Sequence, residues 1–149
     1  MTYTLKDKEF KLVPRTRYVV DLTERLKSKN LNDLIFTGLA DGNPKVLAEL
    51  IKTFAEYEDG RTVFTSINTV YDFIDDWKRE NEKTCDELYS EVIKVVNEMG
   101  FFKTKMTEEE LEKALKNPAI NIDLKEIVST SVQTAVTEMA QQEFKGYKG

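Results

Sequence analysis

The amino-acid sequence predicts a mostly α-helical, compact domain of about six to seven helices with a small N-terminal β-hairpin. Three observations carry that prediction. From about residue 15 onward, apolar residues recur at spacings of three and four, the period of an amphipathic helix. Helix-start signals punctuate this pattern at Asn43-Pro44, Ser66, Thr84 with Glu87, Thr107 with Glu110, and Asp123 with Glu126. Only the first fourteen residues alternate in a strand-like way, and Pro14 stops them. The 149 residues fit a single domain, 1–149, whose size allows roughly 68–70% of the unfolded surface to be buried. Within it the reading places a β-hairpin over 1–14, a helical body over 15–117, and a C-terminal helix over 118–149 as a loosely docked arm.

The elements follow in order. "TYTL" and "EFKLV", separated by the polar "KDK", form the hairpin. Val19, Leu22 and Leu26 share a face of a first helix over about 15–28, with Asn30 available to end it. Leu31, Leu34, Ile35 and Leu39 keep the helical spacing through "LNDLIFTGLA". Asn43 can cap the next helix and Pro44 suits its first turn. Its core face is Val46, Leu47, Leu50, Ile51 and Phe54, and Gly60 follows its end. Behind Ser66, the residues Ile67, Val70, Tyr71, Ile74 and Trp77 line another helix. The capping box of Thr84 and Glu87 opens a helix with the stripe Leu88, Val92, Val95, Val96 and Met99, which Gly100 terminates. A shorter helix over about 108–116 is closed by Asn117-Pro118. The last helix, from Asp123 to about Phe144, dilutes its apolar side with Ser129, Thr130, Ser131, Thr134 and Thr137. It gains less from burial than the others and is expected to be the least firmly held.

The chemistry of catalysis is sparse. No histidine is present, which removes the commonest general base, the commonest nitrogen ligand for metals, and every Ser-His or Cys-His nucleophile. Cys85 is the single cysteine, so neither an internal disulfide nor a multi-cysteine zinc site can form. It sits one residue after a helix cap but lacks a base to activate it. "GLADGNPK" lacks the Gly-Lys-Ser/Thr ending of a phosphate loop. Asp72, Asp75 and Asp76 stand one turn apart, yet the same helix turns Ile74 and Trp77 inward, which sends the acids to the solvated face near Lys78 and Arg79. The chain is therefore expected not to be an enzyme and to need no cofactor or metal. No apolar run approaches the roughly 18–20 residues of a membrane span, and "MTYTLKDKEFKL" carries charges where a secretory signal needs an apolar stretch.

Charge is unevenly spread. Residues 1–29 carry a net +4 while the chain as a whole carries −5. Attraction between a basic opening and an acidic body can act within one molecule or head to tail between copies. Arg15, Arg17, Asp72, Asp75 and Asp76 are the candidate self-association residues on this reading. Nucleic acid is not expected as a partner, because the basic residues are interleaved with acids and have no aromatic platform beside them.

"NEMGFFKTKMTEEEL", residues 97–111, stands out in so charged a chain. With Gly100 left-handed after the helix, Phe101 would close that end against Val96. Met106 and Leu111 would staple the start of the next helix around the capping box of Thr107 and Glu110. Phe102 has no local task. It is expected to lean into the core; were it exposed, it would be an aromatic anchor. It is a candidate partner-binding residue, with Val128, Val132, Val136, Met139 and Phe144 of the C-terminal helix.

Several phrases, "KEFKLVPRTR", "SINTVYDFIDDWKRENEKT", "EMGFFKTKMTEEEL" and a terminal "EFKGYKG", together resemble the tail assembly chaperones of long-tailed phages and prophages of Gram-positive bacteria. The resemblance runs along nearly the whole chain and rests on pattern, with no catalytic motif. It implies a helical, non-virion protein in the cytoplasm of the bacterial host. That protein would bind the tape measure protein, keep it soluble, promote assembly of tail tube protein around it, and form a homo-oligomer. It also implies a short form, made beside a frameshifted longer one. A structural tail-completion or connector protein of the particle is the alternative reading.

Overall fold

The computed structural model describes residues 1–121. The predicted C-terminal helix beyond residue 121, with Val128, Val132, Val136, Met139 and Phe144, lies outside the described residues. Six α-helices and a three-stranded antiparallel sheet make up the described fold. In chain order these are β1 (Tyr3–Leu5), β2 (Lys8–Leu12), α1 (Thr16–Arg25), α2 (Leu31–Asp41), α3 (Pro44–Phe54), β3 (Ala55–Tyr57), α4 (Ile67–Asn81), α5 (Cys85–Glu98) and α6 (Glu108–Lys116), followed by a 3-10 turn at Pro118–Asn121. The mostly helical class with a small N-terminal sheet is the one the sequence predicts.

The hairpin turns on Lys6 and Asp7, both with positive φ (51° and 66°), the paired left-handed conformation that follows the twist of two antiparallel strands. Its pairs are Tyr3 with Phe10, Thr4 with Glu9 and Leu5 with Lys8. The third strand was not foreseen. The helix through Phe54 runs straight into Ala55–Tyr57, which pairs with β2 at Phe10–Tyr57, Lys11–Glu56 and Leu12–Ala55. Three residues are too few to show a period, and their partner lies more than forty residues away. Only tertiary packing makes this strand visible.

Caps largely follow the sequence. Asn43, Ser66, Thr84 and Thr107 each accept a backbone N–H of the first turn they precede. Both expected capping boxes form, at Thr84–Glu87 and Thr107–Glu110. Asn30 is corrected: it does not end α1 but caps α2, its side chain accepting the Asp33 N–H at 2.8 Å. α1 stops earlier, where Lys27 turns left-handed at φ 54° and the Ser28 N–H reaches back to the Thr23 carbonyl at 2.9 Å. Met99 is also corrected. Although placed in the apolar stripe of α5, it is 51% exposed, because the helix ends at Glu98 and Met99 is its C-cap.

α3 is the hub, in contact with α1, α2, α4, α5 and β2. Leu47, Ala48, Leu50, Ile51 and Phe54 are buried from it. α2 is buried on more than the expected stripe, since Phe36 and Gly38 also lie inside. Gly38 admits close packing: a Cβ there would stand 2.7 Å from the Tyr89 hydroxyl and 2.8 Å from Val46 Cγ1. Tyr89 in turn donates its hydroxyl to the Asn43 carbonyl, tying α5 to the loop between α2 and α3. A Gly38→Ala variant is expected to lose about 1–3 kcal/mol of stability by overpacking, measured as a lower urea midpoint with an unchanged m-value.

Candidate interaction surface

The residues singled out for self-association occupy the surface, and three of them, Arg15, Asp75 and Asp76, form ion pairs within the chain. Arg15 donates from Nε and Nη2 to the two Glu56 oxygens at 2.7 and 2.9 Å. Glu56 sits on the unforeseen strand β3 with its side chain only 8% exposed. Hydrogen bonding from Arg15 holds its carboxyl below the ordinary value. Arg25 likewise donates to Glu49 at 2.7 Å. Part of the basic opening is thus neutralised by acids that the fold brings to it. Arg17 lies over the Tyr18 ring at 5.3 Å. Asp75 and Asp76 face Lys78 and Arg79 at 3.8 and 2.9 Å, and Asp72 is exposed on the same helix.

Cys85 is half-buried at the first position of α5. Among the described residues, no group of three or more His, Cys, Asp or Glu side chains is placed to hold a metal ion. No helix among them is long and apolar enough to cross a membrane. The Tyr3 hydroxyl donates to Glu91 Oε1 at 2.7 Å, and Lys83 stands 3.7 Å from the other Glu91 oxygen. Burial, then Glu91, raises the Tyr3 phenol well above its usual range. This node fastens β1 to α5.

The connection between α5 and α6 is the most fully determined surface feature. Gly100 is left-handed at φ 78°, and its N–H reaches the Asn97 carbonyl at 3.1 Å. The Phe101 N–H reaches the Val96 carbonyl at 3.3 Å, which completes the helix end that the sequence suggested. At the other end the Thr107 N–H meets Glu110 Oε1 at 2.9 Å, and the Glu110 N–H meets Thr107 Oγ1 at 3.2 Å. Between them, Asn97 clasps the backbone of Met106: its Nδ2 donates to the Met106 carbonyl at 3.0 Å, and its Oδ1 accepts the Met106 N–H at 2.8 Å. Sequence reasoning missed Asn97. The available signal was a short polar side chain directly after Val96, on a helix otherwise apolar at that height.

Phe102 is 7% exposed, its ring 5.7 Å from that of Phe36, so it is a core residue and not an outward anchor. Phe101 and Met106 stay half-buried. With Leu31, Phe102 and Lys103 they line an open groove of about 670 Å³ between this loop and the first turn of α2. The two phenylalanines therefore diverge: Phe102 pins the loop, and Phe101 with Met106 lines the groove.

Asn30, Asn32, Asp33 and Thr104 complete the lining, so the groove is of mixed character, with acid and base both present. Residues 23–110 match the family model described as phage tail assembly chaperone protein, TAC. The match covers more than half of the chain, and the chain belongs to that family. No curated protein and no solved structure matches it.

Two outcomes test the contacts described here. Glu56 has a depressed carboxyl in the fold, so its contribution is present above the ordinary glutamate value of 4.5 and is lost as pH falls from there through the folded value. Acid titration of stability is expected to be shallower below pH 4.5 in Glu56→Gln than in the parent chain. Asn97→Ala removes both hydrogen bonds to the half-buried Met106 backbone and is expected to cost about 1–3 kcal/mol in chemical denaturation. Asn97→Asp, which can still accept the N–H but cannot donate, is expected to remain destabilised.

Proposed function

We propose that this chain acts in the assembly of long-tailed phages of Gram-positive bacteria, binding the tape measure protein and keeping it soluble. In this reading it also promotes polymerisation of tail tube protein around that client, works in the cytoplasm of the host as a homo-oligomer, and is left out of the mature particle. Membership of the tail assembly chaperone family, matched over residues 23–110, is the observation that carries the reading. A long client requires repeated weak apolar contacts and a soluble outer surface. A chain of net charge −5 with small exposed apolar sites suits that task. Val128, Val132, Val136, Met139 and Phe144 are proposed to add client contacts. Arg17 and Asp72 are proposed to favour contacts between copies.

Co-expression with the tape measure protein of such a phage tests the proposal. The chain is expected to move that protein from the insoluble to the soluble fraction and to co-purify with it. An unchanged insoluble fraction, or recovery of this chain in purified mature particles, overturns the chaperone reading.

A further inference from the structure

We draw no further inference here: the strongest candidate, the outer edge of β1 in the three-stranded sheet, presents only three residues with no strand beside them among the described residues, and nothing in the structure shows what covers it.

Discussion

Docking of the sheet depends on Phe10. This residue is 1% exposed and sits at the centre of the register, paired with Tyr3 on one side and Tyr57 on the other. Its ring stacks on Tyr3 at 5.6 Å and meets the edges of Phe64 and Phe73 at 5.5 and 5.4 Å. A sheet with strands of three to five residues has little stability of its own. Aromatic contacts of this kind add about 0.5–1.5 kcal/mol each beyond the burial of their area. Phe10 and Tyr3 bring the hairpin, Phe64 the segment after β3, and Phe73 the inner face of α4. The cluster is the apolar tie between the opening strands and the helices, beside the hydrogen bond from Tyr3 to Glu91.

The same constraint orders the charges. Once Phe10 fixes β2 against β3, Lys11 stands opposite Glu56, and Glu56 comes within reach of Arg15. A carboxylate with so little exposure is tolerable only because a guanidinium holds both of its oxygens. The basic character of residues 1–29 is thus partly a consequence of folding: Arg15 and Arg25 find acids supplied by β3 and α3. A bipolar chain read linearly becomes, in space, a chain whose opposite charges meet internally, as at Arg15–Glu56 and Arg25–Glu49.

Legibility in the sequence tracked the range of the interaction. Most features governed by a few adjacent residues were readable: the caps at Asn43, Ser66, Thr84 and Thr107, the left-handed Gly100, and the solvated acids of α4. Features decided across the chain were not. β3 needed β2, Phe73 needed the sheet, and the clasp of Asn97 needed Met106 nine residues away. Asn30 was ambiguous for a different reason, since a short polar side chain serves equally at the end of one helix or the start of the next. Lys27, not glycine or asparagine, adopted the left-handed turn that freed Asn30 for α2.

These differences also explain why the α5–α6 loop, of all the connections, combines rigidity with exposed apolar surface. Glycine at position 100 ends a helix without adding a side chain, and the next two residues diverge, one inward to Phe36 and one toward the groove. A flexible loop bearing Phe101 and Met106 would collapse them into the core or lose binding energy in ordering them. Here the backbone on both sides is already hydrogen-bonded, and burial of Phe102 uses up the local apolar demand. Phe101 and Met106 stay half outside, packed on the edge of the core that Phe102 enters.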